Sequence, residues 1–259
     1  GRSRMKGLFE LDGHVALVTG GNSGIGLGMA TGLAQAGADI CIWGTHVERN
    51  AAAVELLKAH GGKVDAVHCD VGDEGSVERA FAETLKRFGR IDSCFANAGV
   101  SGSGTSFLES SLEDFRKVTR VNLEGAFLTL RGAARHMVER GGGGVLVGTS
   151  SVSALHGAPT QQSYGASKAG LSAMIRGRAV EFARYRINAH AIIPGWVETP
   201  MTSARFHEQT FGRNVMKRMP QRRWGDPSDF ARLAVYLACG IGGFQTGDEI
   251  VVDGAYSIF

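Results

Sequence analysis

Short apolar runs rich in valine and isoleucine alternate along this chain with longer stretches rich in alanine and leucine. The short runs predict strands at His14–Thr19, Asp39–Trp43, Val64–His68, Ser93–Ala96, Gly144–Thr149, Ile187–Ile193 and Glu249–Val252. The longer stretches carry apolar residues at helical spacing and predict helices at Gly24–Ala36, Glu48–His60, Glu74–Phe88, Leu112–Arg140, Gln162–Arg184 and Pro227–Cys239. Strands that are apolar on both sides are buried on both faces. Strands alternating with helices therefore predict a parallel sheet between two helical layers, a doubly wound α/β fold with right-handed crossovers. No internal repeat, low-complexity linker or compositional break interrupts the pattern. One domain is expected over residues 11–259, after an extension of residues 1–10. Residues 1–4 precede Met5 and read as a cloning remnant.

Composition narrows the class. Of 259 residues, 43 % are apolar and 20 % charged, values of a globular chain large enough to bury a full core. A net charge of +3 with no polybasic run gives no reason to expect nucleic acid. No apolar run approaches the roughly 18 residues of a membrane-spanning helix, so no membrane association is expected. The basic start lacks an apolar core and does not read as a signal peptide. Cys41, Cys69, Cys94 and Cys239 are widely separated and read as free thiols, which fits a reducing cytoplasm. No Cys or His spacing suits a metal, and none is expected.

Two local patterns carry chemistry. The first strand runs into Thr19-Gly20-Gly21-Asn22-Ser23-Gly24-Ile25-Gly26 and then an alanine-rich helix. Glycines there permit a sharp turn and close approach of backbone to a pyrophosphate, and the helix N-terminus offers free amides and a positive dipole end. The second pattern is Tyr164 with Lys168, four residues apart on one helical face. A phenol with an ordinary pKa of about 10 exchanges protons near neutrality only with help, and a neighbouring ammonium supplies it by favouring the phenolate. On this reading Tyr164 titrates below 10. Ser151 offers a hydroxyl to hold a substrate oxygen against that phenol.

Taken in order, TGGNSGIG, Asn97-Ala98-Gly99, Asn122 in VNLEGAF, Ser151, Tyr164-Gly165-Ala166-Ser167-Lys168 and Pro194-Gly195 resemble the short-chain dehydrogenase/reductases from about Leu11 to the C-terminus. The resemblance implies a seven-stranded Rossmann-type sheet of order 3-2-1-4-5-6-7 and NAD(P)-dependent hydride transfer. It implies a catalytic tetrad of Asn122, Ser151, Tyr164 and Lys168. In it Lys168 also bonds the nicotinamide ribose, and Asn122 holds a water in a proton relay. It implies that Gly20, Asn22, Ser23, Gly24, Ile25 and Gly26 receive the pyrophosphate. Gly44, Thr45, Asp70 and Val71 are expected at the adenosine, with Asn97, Ala98 and Gly99 beside its ribose. Pro194, Gly195, Val197 and Thr199 would hold the nicotinamide carboxamide. Two departures, Ala96 before Asn97 and Ala255 after Asp253-Gly254, leave fold and chemistry intact. A homotetramer, or at least a dimer, is also implied.

Cofactor and substrate stay open at this level. After Trp43 come Gly44-Thr45-His46, without the acidic residue an NAD enzyme places there. A repulsion against a 2′-phosphate is therefore missing, and the reading leans to NADP over NAD through Thr45, His46 and Arg49. A substrate lid is expected near residues 199–225, with Arg205, Arg213, Lys217, Arg218, Arg222 and Arg223 against one acid, Glu208. Those cations either greet an acidic substrate or carrier or face solvent. Phe206, Phe211, Val215 and Met216 line a pocket or pack together, and His156 faces substrate or lies in a surface loop. The main expectation is an enzyme for a small carbonyl or secondary-alcohol substrate. A 3-oxoacyl thioester reductase and a non-catalytic dinucleotide-binding protein are the alternatives.

Overall fold

In the computed structural model, residues 7–259 are described. Residues 1–6, most of the expected extension, lie outside them.

Seven strands form one parallel sheet of order β3-β2-β1-β4-β5-β6-β7, as the sequence predicts. They are β1 (Val15–Thr19), β2 (Asp39–Gly44), β3 (Val64–His68), β4 (Ser93–Ala96), β5 (Gly144–Thr149), β6 (Ile187–Pro194) and β7 (Glu249–Val252). Every residue of β1, β4, β5 and β6 is buried, because helices cover both faces. One apolar core lies on each side: Leu17, Cys94 and Leu146 point into one, Val18, Phe95 and Val147 into the other. Alternate strand residues thus serve opposite layers.

The helices are α1 (Gly24–Gln35), α2 (Val47–Lys58), α3 (Glu74–Phe88), α4 (Leu112–Thr119), α5 (Gly125–Arg140), α6 (Gln162–Phe182), α7 (Ser203–His207), α8 (Gln209–Lys217) and α9 (Ala231–Ala238). The α3 boundaries are written in sequence: the Asp73 carboxylate accepts from the Ser76 amide at 2.6 Å, and Gly89 closes the helix in the left-handed region.

One expectation is refined. Leu112–Arg140 is helical throughout, with residues Arg120–Glu124 forming a π turn between α4 and α5. The extra residue in that turn lets the Asn122 side chain grip the loop after β4, a tertiary contact invisible to helical periodicity. The expected lid stretch carries two short helices, α7 and α8.

Candidate active site

The strand order places the carboxyl ends of β1, β4, β5 and β6 side by side, and an elongated cavity of about 700 Å³ opens over them. The volume lies within the range of ligand sites.

At its middle is the turn after β1. Gly20 adopts φ +63°, a conformation that favours glycine. A Cβ on Gly26 would meet the Gly20 carbonyl oxygen at 2.2 Å, so only glycine lets α1 start this close to the strand. Gly20, Asn22, Ser23, Gly24 and Ile25 line the cavity; Gly26 lies beneath it as packing. Ser23, at the N-cap of α1, places no side chain on the helix amides, which leaves them to the cavity.

Asn97 fastens three strand ends together. Its amide nitrogen donates to the Thr19 carbonyl at 3.2 Å, and its side-chain oxygen accepts from the Thr149 hydroxyl at 3.1 Å. The Thr19 hydroxyl accepts from the backbone amides of Asn97 and Ala98, both at 3.0 Å. The sequence assigned Asn97 to the ribose; its side chain is equally a fastener of the sheet edge.

At one end stand the expected catalytic residues. Lys168 and Asn122 are buried, Ser151 is 8 % exposed, and Tyr164 is partly buried with its ring open to the cavity. The Lys168 ammonium donates to the Thr149 carbonyl at 2.7 Å. Asn122 accepts from the Val100 amide at 2.8 Å and donates to the Val100 carbonyl at 2.9 Å and to the Ser167 hydroxyl at 3.2 Å. Asn122 does not line the cavity. It fixes the loop beside Gly99, where a Cβ would stand 3.2 Å from the Asn122 oxygen and 3.4 Å from the Lys168 nitrogen.

The electrostatics depart from expectation. Burial dominates at both groups. It raises the Tyr164 phenol above its ordinary value of 10.0, with the neighbouring Ser151 hydroxyl pulling the other way. It lowers the Lys168 ammonium to about 8. The expectation that Tyr164 titrates below 10 is opposed by this burial, with the Ser151 hydroxyl acting in its favour.

Beyond the catalytic end, Pro194, Gly195, Val197 and Thr199 line the cavity as expected. Sequence reading missed Thr202, whose hydroxyl organises that loop. It donates to the Val197 carbonyl at 2.6 Å and accepts from the Thr199 amide at 3.0 Å.

At the other end, Gly44, Thr45, Asp70 and Val71 line the cavity, joined by His46, Arg49, Lys117 and Arg120. The last two were not anticipated. Asp70, the sole carboxylate among the lining residues, is paired with Arg120 at 3.1 Å. Lys117 and Arg120 reach this end from α4 and the π turn, some fifty residues beyond Asp70, so only the fold brings them here.

The basic lid stretch does not contribute. Among the described residues the lid reaches the cavity through Thr199–Thr202, and Arg213, Lys217, Arg218, Arg222 and Arg223 do not line it; the Arg205 side chain lies outside the described residues. Arg223 pairs with Asp229 at 2.7 Å, and Arg218 stacks over the Tyr256 ring. Phe206, Phe211, Val215 and Met216 pack with Trp196 and Trp224 in a small separate core. His156 is exposed and away from the cavity.

A glycine turn under a helix N-terminus, joined through one cavity to a buried Lys–Tyr–Ser group, defines a dinucleotide-dependent hydride-transfer enzyme. Residues 20–257 match the family model described as Enoyl-(Acyl carrier protein) reductase. The chain is 36 % identical over 250 residues to 5-keto-D-gluconate 5-reductase of Escherichia coli K12, covering 96 % of this chain and 98 % of that one. Its fold is similar to the gluconate 5-dehydrogenase of Burkholderia cenocepacia in complex with NADP and tartrate (TM-score 0.90, 33 % identity, 97 % and 98 % of the two chains). It is also similar to the 3-oxoacyl-(acyl-carrier protein) reductase of Brucella melitensis in complex with NAD (TM-score 0.89, 33 % identity, 99 % of each chain). The chain belongs to the short-chain dehydrogenase/reductase family. It is an NAD(P)-dependent oxidoreductase acting on hydroxyl and keto groups.

Proposed function

We propose that Tyr164 is the proton donor to a substrate carbonyl oxygen in the reductive direction, and the acceptor in reverse. The observation that carries this is the meeting of Tyr164, Ser151 and Lys168 at one end of the cavity that the Gly20–Gly26 turn underlies. The nicotinamide, when bound, supplies the hydride. Ser151 holds the substrate oxygen beside the phenol. Lys168 places a positive charge next to the ring and toward the nicotinamide ribose. Asn122 holds the Val100 loop in place and would hold the water through which Lys168 exchanges protons with solvent.

The dinucleotide is NADP in preference to NAD. At the adenosine end the only lining carboxylate, Asp70, is paired with Arg120, while His46, Arg49 and Lys117 add cationic or protonatable groups. Such a set attracts a 2′-phosphate and places no unpaired acid where a ribose 2′-hydroxyl would want one.

The substrate is a small polar ketone or secondary alcohol of the sugar-acid kind. The names of the relatives favour it, as do the hydroxyls of Ser101 and Ser151 along the cavity. A panel of keto sugar acids, simple ketones and 3-oxoacyl thioesters, read by NADPH absorbance, tests this. Turnover confined to the thioesters would overturn it.

The assembly is a homotetramer. Among the described residues the edge strand β7 has no partner on its outer side, and Phe244, Val251, Ile258 and Phe259 are exposed beside it. A monomer mass by light scattering at micromolar concentration would overturn this. The compartment is the cytoplasm, in keeping with free thiols at Cys41, Cys69, Cys94 and Cys239. No helix among the described residues is long and apolar enough to cross a membrane.

A further inference from the structure

Asn50, on the first turns of α2, is a buried amide outside the tetrad and outside every motif in the sequence. It is 5 % exposed, although Val47, Glu48 and Arg49 before it are exposed. Burying an amide is costly unless its donors and acceptor are used. Here both ends of the amide are used. The side-chain oxygen accepts from the Asn22 amide at 2.8 Å, and the side-chain nitrogen donates to the Gly44 carbonyl at 2.9 Å.

These two partners are the two backbone segments that shape the adenosine half of the cavity. Asn22 belongs to the glycine-rich turn after β1; Gly44 is the last residue of β2. The contact is tight: a Cβ on Gly44 would stand 2.4 Å from the Asn22 side-chain nitrogen and 2.5 Å from the Asn50 oxygen. Only glycine at 44 leaves room for the bridge. Asn50 also starts from the backbone that carries the cationic groups, since its amide donates to the His46 carbonyl at 2.9 Å and Arg49 is its neighbour. Asn22, Gly44, His46 and Arg49 all line the cavity; Asn50 does not.

We infer that Asn50 is a positioning residue for the dinucleotide: it locks the glycine-rich turn to the end of β2 and so fixes where His46 and Arg49 stand relative to the adenosine ribose. Preorganised binding loops lose less order on binding, so the bridge contributes affinity without touching the ligand. Because it acts at the adenosine end, far along the cavity from Tyr164, it sets dinucleotide affinity and leaves the chemical step alone. The inference rests on reading this cavity as the dinucleotide site.

The test uses the full chain and two variants. Asn50→Ala removes both hydrogen bonds. Asn50→Asp keeps nearly the same shape and the acceptor for Asn22, but loses the donor to Gly44 and adds a negative charge behind the ribose loop. Dinucleotide Kd is measured by fluorescence titration with NADPH and NADH, alongside kcat and KM. Asn50→Ala is expected to weaken both dinucleotides about tenfold, because the turn and the end of β2 are then no longer held in place before binding, with kcat at saturating cofactor within about twofold of the parent. Asn50→Asp is expected to weaken NADPH more than NADH, because the added charge opposes the 2′-phosphate. A folded Asn50→Ala with parental Kd overturns the inference, as does a loss confined to kcat. So does an Asn50→Asp variant that affects both dinucleotides equally. A parent chain that binds neither dinucleotide overturns the site reading itself.

Discussion

The Lys168 nitrogen stands 5.6 Å from the centre of the Tyr164 ring, on the same face of α6. It points past the ring to the Thr149 carbonyl at the end of β5. The charge that favours the phenolate is thus held by the sheet, and its effect depends on whether the ammonium keeps its proton.

That dependence is measurable. Lys168 is lowered to about 8 by burial, whereas Tyr164 is raised above 10.0. The ammonium is present below pH 8 and is lost above it. Reductive kcat/KM is expected to fall as pH rises through about 8, well before the phenol ionises. In Lys168→Arg, whose guanidinium stays charged, that limb is expected to move upward or vanish. A limb that persists unchanged near 8 in Lys168→Arg would assign it to another group.

Tyr164→Phe keeps the ring and deletes the proton. Turnover is expected to fall by roughly 10²–10⁴-fold, the range of a general acid, with dinucleotide Kd nearly unchanged. Ser151→Ala is expected to lower turnover with the cofactor still tightly bound, and Lys168→Ala to harm both. Near-full turnover in Tyr164→Phe on an accepted substrate would remove the whole catalytic assignment.

Arg49 is exposed at the mouth of the adenosine end, one residue before the Asn50 bridge. Arg49→Ala is expected to weaken NADPH about tenfold, the worth of one charge-assisted contact to a phosphate, and to leave NADH within about twofold. Titration of both dinucleotides checks this. Equal losses for the two would assign Arg49 to the pyrophosphate or to the fold.

Far from the site, beneath the opposite end of the sheet, His14 is buried and bonded to the Ser93 hydroxyl at 2.7 Å. Burial lowers it from 6.5 to about 4; Asp92 opposes the shift, and Arg90 and Arg140 reinforce it. The fold therefore favours the neutral ring. Its contribution is complete above pH 6.5, shrinks as pH falls from 6.5 toward 4, and is gone below 4. The loss amounts to about 3 kcal/mol at most. His136 is lowered in the same direction, mainly by burial, and adds to the slope. His14→Gln is expected to flatten the dependence of urea midpoint on pH across that window. An unchanged slope would place the acid sensitivity elsewhere.

Several features of the molecule were legible in the residue pattern. Apolar runs without alternation can only be strands covered on both faces, so β1, β4, β5 and β6 were readable as the interior of a parallel sheet. Glycine at 20 and 26 and the Tyr164–Lys168 spacing are local requirements of backbone angle and helical face, written in adjacent residues. Cavity lining by Gly20 and Thr199 follows from the sheet order, since each lies just past the carboxyl end of its strand.

Other features depended on distances that no local pattern encodes. The π turn at Arg120–Glu124 accompanies the reach of Asn122 to the Val100 loop, and that contact spans 22 residues. Arg120 meets Asp70 across 50 residues, and Asn50 meets Asn22 across 28. The lid cations looked available to a substrate because charge in a sequence carries no direction; folding sends Arg223 to Asp229 and Arg218 to Tyr256 instead. The same holds for the proton chemistry. Spacing puts Lys168 beside Tyr164, but the protonation of both is set by how deeply the surrounding chain removes them from water, and desolvation is a property of the folded whole.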